Sequence, residues 1–162
     1  MDDQTAEQLI DGTISWEELR DDVLPDPKDP DRFRTIRSIL QDRVDFDDPI
    51  LVPINDHLFA VAKGGKHVVK GECGHEFCEL GDNWKTHSQV RVRETKDEWS
   101  ELHPAPMTGD PDWQFELREF FCPECYQLLS VDPVPRGYPV QVEFEPDIDT
   151  FYEDWLGEPV PE

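Results

Sequence analysis

Cys73-Gly-His-Glu-Phe-Cys78 and Cys122-Pro-Glu-Cys125 hold all four cysteines of the chain. A tetrahedral zinc ion takes soft ligands of this kind, commonly from two short turns. Cys122 and Cys125 have the two-residue gap of a zinc knuckle. Cys73 and Cys78 have a gap of four, and His75 between them is a rival nitrogen ligand. The flanking residues bring in the fold. Phe115-Glu-Leu-Arg-Glu-Phe-Phe121 predicts a strand that delivers Cys122, and residues 126–131 predict a strand that leaves Cys125. Strand, turn, strand is the hairpin of a zinc ribbon. The predicted site is one closed, structural zinc on Cys73, Cys78, Cys122 and Cys125, with His75 as the alternative to Cys78.

Working outward, residues 50–54 and 57–62 are short and β-rich, and Gly64-Gly65 makes a two-residue hairpin turn into residues 67–70. Gly65-Lys66 also ends like a phosphate loop. The full pattern fails, because it needs Gly where Ala60 stands and Ser or Thr where His67 stands. Gln89-Val-Arg-Val-Arg93 alternates as a strand, residues 101–114 form a long loop, and residues 138–144 alternate as an edge strand. Asp147 caps a last helix whose Ile148, Phe151, Tyr152 and Trp155 fall on one face, with Gly157 at its end. That aromatic face packs on the chain's own sheet or on another chain.

The first 48 residues predict an acidic helical arm. Thr5 with Gln8, and Ser15 with Glu18, have capping-box spacing. Gly12 stops the first helix, residues 26–30 form a linker, and Phe33, Ile36, Ile39 and Leu40 sit at helical spacing in the next. Arg32, Arg34, Arg37 and Arg43 cluster there, as a solvated face paired with nearby aspartates or as an anion or partner contact. The fold class is α+β: a small, mostly antiparallel β domain with a zinc-ribbon-like site (49–145), a helical N-terminal arm (1–48) and a short C-terminal helix and tail (146–162).

Charge narrows the function. Against 38 acidic residues stand 15 basic ones, a formal net charge of −23. Such a chain repels phosphate backbones, which argues against nucleic acid as a partner. A basic protein partner, a salt-rich cytoplasm or simple solubility each fit this acidity. No apolar run approaches a membrane span, and the acidic N-terminus lacks the basic-then-apolar order of a signal peptide. A cytoplasmic location follows as an expectation, and there paired cysteines serve as metal ligands more often than as disulfides. A thioredoxin-like role for Cys122 and Cys125 would need a helix after the pair, where the sequence predicts a strand. His57, His67, His87 and His103 are scattered, no serine nucleophile elbow occurs, and no Met-Lys-Met biotin-attachment site is present. By its own residues the chain is a structural or docking part rather than a catalyst.

Four stretches together resemble a known family: Cys73-Gly-His-Glu-Phe-Cys78, Asn83-Trp-Lys85, Phe121-Cys-Pro-Glu-Cys125 and Asp149-Thr-Phe-Tyr-Glu-Asp-Trp-Leu-Gly157. They are similar to the small gamma subunit of acetone carboxylase and to the corresponding subunit of acetophenone carboxylases, over roughly residues 50–160. The resemblance implies a cytoplasmic hetero-oligomer that uses ATP and bicarbonate, without biotin, to carboxylate a ketone to a 3-oxo acid. It also implies large, hydantoinase-like partner subunits that hold the ATP, the divalent metal and the substrate. The small subunit would bind structural zinc and serve assembly. The other reading of the same residues is a free-standing zinc-ribbon adaptor that binds another protein.

Overall fold

The computed structural model describes residues 1–25, 29–102, 114–142 and 144–162. The chain divides into two compact units, one of Met1–Leu80 with Phe144–Glu162 and one of Gly81–Glu143. Both of their sheets are antiparallel and helices flank them, so the α+β reading holds. No helix among the described residues is long and apolar enough to cross a membrane.

The first unit is a four-stranded meander, β1 (Ile50–Asn55), β2 (Leu58–Lys63), β3 (Lys66–Gly71) and β4 (Glu76–Glu79), in that spatial order. The β2–β3 hairpin turns on Gly64 and Gly65, with φ of 58° and 75°. Two successive positive φ angles need glycine and match the strand twist, which is why this sequence makes a hairpin there. Leu58, Phe59, Ala60, Val61 and Ala62 of β2 are all buried, because both faces of the sheet are covered. On one face Ala60 and Ala62 join Leu51 and Val52 against the C-terminal helix. On the other, Phe59, Val61 and Ile50 pack under Leu40 and Ile36.

Four helical segments surround this sheet: α1 (Asp3–Ile10), α2 (Trp16–Glu18, continued by a π-helical turn over Leu19–Val23), α3 (Pro30–Arg43) and the C-terminal helix (Ile148–Thr150, continued by a π-helical turn over Phe151–Leu156). The Ser15–Glu18 capping box forms in full. At the first helix the cap is Asp2, whose carboxylate accepts from the Thr5 amide, and not Thr5 with Gln8. An aspartate at the N-cap satisfies an orphan N–H three residues earlier than the predicted pair would. The linker predicted at residues 26–30 lies largely outside the described residues.

The arginine cluster on α3 pairs with acids and also with backbone. Arg43 binds Asp11 at 2.6 Å and Arg34 binds Asp31 at 2.9 Å. Arg32 donates to the Val23 carbonyl at the end of one π-helical turn, and Arg34 donates to the Leu156 carbonyl at the end of the other. Arg37 donates to the Tyr152 hydroxyl at 2.8 Å, and that hydroxyl donates to the Leu51 carbonyl at 2.8 Å. The aromatic helix therefore docks on its own unit, through Ile148, Tyr152 and Leu156. Gly157 ends it with φ of 66°, the left-handed cap the sequence predicted.

The second unit is a three-stranded antiparallel sheet, β5 (Gln89–Arg93), β6 (Phe115–Phe121) and β7 (Leu128–Pro135), with β6 central. Two elements escaped the sequence reading: a short 3₁₀ turn (Trp84–His87) and α4 (Lys96–Ser100), whose Thr95–Glu98 capping box is complete. Residues 138–142 are not the predicted edge strand; β6 is paired on both sides by β5 and β7, and the Tyr138 carbonyl accepts from the Arg118 side chain. Most of the loop predicted at 101–114, with His103, lies outside the described residues.

Burial raises the Tyr152 phenol above its ordinary pKa, and Arg37 opposes this less strongly. A folded-state pKa raised above the unfolded value gives stability that is present below about pH 10 and lost as pH rises through the folded value. Tyr152→Phe leaves the Leu51 carbonyl and Arg37 without this partner, and should cost about 1–3 kcal/mol in urea unfolding at neutral pH. The variant should also lose stability less steeply than the parent above pH 10. Equal stability at both pH values would contradict the role given to this hydroxyl.

Candidate metal centre

The first cysteine pair stands on the β3–β4 connection. The Gly71 amide donates to the His75 carbonyl at 2.8 Å, and the Gly74 amide donates to the Gly71 carbonyl at 2.8 Å. Gly74 has φ of 88°, a conformation side chains disfavour, so the turn around Cys73 needs glycine at that position. A Cβ on Gly71 would sit 3.4 Å from the Phe77 ring and 3.8 Å from Cys73 Sγ. Cys73 is exposed at the turn, and Cys78 is half-buried on β4 opposite Val69. The His75 ring meets Phe77 edge-on at 4.8 Å.

The second pair stands on the β6–β7 hairpin. The ladder runs down to Phe121 opposite Leu128, and residues 122–127 make the turn. Within it the Tyr126 amide donates to the Cys122 carbonyl at 3.0 Å, and the Cys122 amide donates to the Gln127 carbonyl at 2.9 Å. Tyr126 closes the turn with φ of 61°, the one non-glycine residue in a left-handed conformation among the described residues. That conformation costs an L-residue on the order of 1–2 kcal/mol. The second strand starts at Leu128, two residues later than the sequence predicted, because the tight turn uses Tyr126 and Gln127. Cys122 is buried and Cys125 exposed, with their sulfurs within 4.8 Å of each other. Zinc–sulfur bonds of about 2.3 Å at tetrahedral angles put sulfurs roughly 3.8 Å apart, within the reach of small rotamer changes.

Cys73 stands on an exposed turn of the first unit, and Cys122 and Cys125 stand on one turn of the second. Their chemistry fits zinc, a borderline-soft ion that thiolates bind well.

The second unit also holds an ion pair that the sequence reading missed. Lys85 is fully buried, and its Nζ meets Asp132 Oδ2 of β7 at 2.7 Å. Asp132 also accepts from Ser130 at 2.8 Å. The Lys85 ammonium lies 5.0 Å from the centre of the Phe120 ring and 5.7 Å from that of Trp84. Phe120 is two residues before Cys122, so this cluster fixes the strand that presents the buried thiol. Across the same sheet Arg93 pairs with Glu119 at 2.7 Å and with Glu101 at 2.6 Å. Each buried charge of these clusters has an opposite charge within bonding distance, as burial requires.

Two antiparallel sheets with cysteine-bearing turns define a zinc-ribbon-like α+β protein. The chain belongs to the acetone carboxylase gamma subunit family, whose family model matches residues 44–156. It is 46% identical, over 95% of its length and 92% of the relative's, to the acetone carboxylase gamma subunit of Xanthobacter autotrophicus. It is more distantly similar to the acetophenone carboxylase beta subunit of Aromatoleum aromaticum, at 24% identity over 68% of this chain and 80% of that protein.

Removing one member of a buried ion pair leaves the other charge desolvated. Lys85→Ala should therefore cost about 3–5 kcal/mol in urea unfolding. Lys85→Met with Asp132→Leu, which removes both charges, should recover much of that loss. A single variant as stable as the parent would show that the pair does not hold the β6–β7 hairpin.

Proposed function

We propose that the chain is the zinc-binding small subunit of a cytoplasmic, ATP-dependent, biotin-independent ketone carboxylase, with a role in assembly. The observation that carries this reading is the 46% identity to an acetone carboxylase gamma subunit across nearly the whole of both chains. Its partners on this reading are the larger, hydantoinase-like subunits, which hold ATP, the divalent metal and the ketone. The more distant likeness to an acetophenone carboxylase subunit supports ketone carboxylation as the shared activity.

Zinc would be held by Cys73, Cys122 and Cys125, with Cys78 or His75 completing the tetrahedron. A closed set of protein ligands leaves no position for substrate, and so the metal's contribution is to the fold. Structural zinc contributes apparent binding free energies of roughly 10–16 kcal/mol. That is large for a chain whose charge of −23 opposes compaction.

A tagged full-length chain, expressed in its own host, should bring down larger carboxylase subunits in fixed proportion. If it elutes alone, the free-standing adaptor is the better description. Metal analysis of the purified protein should find about one zinc per chain. Cys122→Ser and Cys125→Ser should lose most of that zinc and the ability to assemble. Full assembly by a zinc-free variant would refute the structural role of the metal.

A further inference from the structure

The helical segment that begins at Trp16 has an unusual surface. Trp16-Glu-Glu-Leu-Arg-Asp-Asp-Val-Leu24 is held to its unit from one side: Val23 is buried, and Arg32 of α3 grips its carbonyl. Trp16 is 61% exposed and Leu24 53% exposed. The backbone sets these two residues in line. Leu19 N–H bonds to the Trp16 carbonyl, and Leu24 N–H bonds across the wider π-helical turn to the Leu19 carbonyl at 2.9 Å. Trp16, Leu19 and Leu24 thus stack on successive turns. Insertions of this π type often accompany functional positions.

The rim of this apolar strip is acidic. Glu17, Glu18, Asp21 and Asp22 are exposed around it, against the single Arg20. Glu18 is used in the capping box and Asp21 pairs with Arg20 at 2.7 Å. Glu17 and Asp22 are exposed as well. This charge selects among occupants. A second copy of the chain would set −23 against −23, and nucleic acid or an anionic membrane would be repelled likewise. The fit is to a different protein, with an apolar pocket for an indole and lysine or arginine at its edge. The segment also lies outside residues 44–156, where the family model matches.

We propose that Trp16 and Leu24 are a docking element, seated in a basic-rimmed apolar groove on one of the larger carboxylase subunits. The inference rests on the subunit reading above and adds the surface and its chemistry. An exposed tryptophan on a short helix loses little conformational freedom on binding and buries a large area.

The test uses the full-length chain and the purified larger subunits of the carboxylase with which it is expressed. Trp16→Ala with Leu24→Ala should weaken binding at least about tenfold, with an unchanged melting temperature and an unchanged zinc content. Glu17→Gln with Asp22→Asn should slow association at low salt and flatten its salt dependence. If the parent binds the larger subunits and the Trp16/Leu24 variant binds them equally well, this proposal is wrong and the subunit reading stands. If the parent does not bind them, both fall together.

Discussion

Tyr152 is buried in an apolar cluster, and its hydroxyl is the point on which the first unit closes. It accepts from Arg37 of α3 and donates to the Leu51 carbonyl of β1, joining three elements that are far apart in the chain. The geometry satisfies a phenol that would be costly to bury alone, and a carbonyl at a bulge in the β1–β2 ladder, between Ile50 and Val52. Around this hub the C-terminal helix brings Phe151 edge-on to Phe33 at 4.8 Å. Ala60 and Ala62 of β2 pack in the same cluster as Ile148, Tyr152 and Leu156 of that helix.

The second unit solves a different problem. Its sheet carries Glu116, Arg118, Glu119 and Arg93 at buried positions, beside the fully buried Lys85. A sheet built this way gains specificity from pairing as much as from apolar area. A strand slipped by one residue would part Lys85 from Asp132 and Arg93 from Glu119. Such a constraint suits a hairpin whose turn must hold two sulfurs in fixed relation.

The acidity of the chain is distributed with purpose in some places. Depressed carboxylates such as Asp2, Asp11, Glu18, Glu76, Glu98 and Glu101 are held by caps or by basic partners, led respectively by Thr5, Arg43, Ser15, Lys63, Thr95 and Arg93. Groups lowered in the folded state give stability that is lost as pH falls through their folded values, in the acid range below about pH 4. Glu17 and Asp22 are exposed beside the exposed Trp16 and Leu24 and take no part in the caps and ion pairs seen among the described residues.

Local signals carried most of the architecture. The glycine pair at 64–65, the Ser15–Glu18 box, the Asp147 cap and the Gly157 stop each depend on a few adjacent residues, so the sequence by itself determined them. The cysteine spacing likewise picked out the two turns. What only the tertiary structure decided were the long-range choices. Nothing near Tyr152 in sequence says that Arg37 and Leu51 are its partners, and Lys85 looks like any exposed lysine until Asp132 is placed beside it. The aromatic helix could have docked elsewhere by its pattern alone; its bonds to the Leu51 carbonyl and to Arg34 and Arg37 of α3 hold it here. Residues 138–142 show the converse, since alternation promised a strand but they join neither sheet, and the Tyr138 carbonyl accepts from an arginine side chain. Periodicity fixes which face is apolar, and only packing fixes what that face meets.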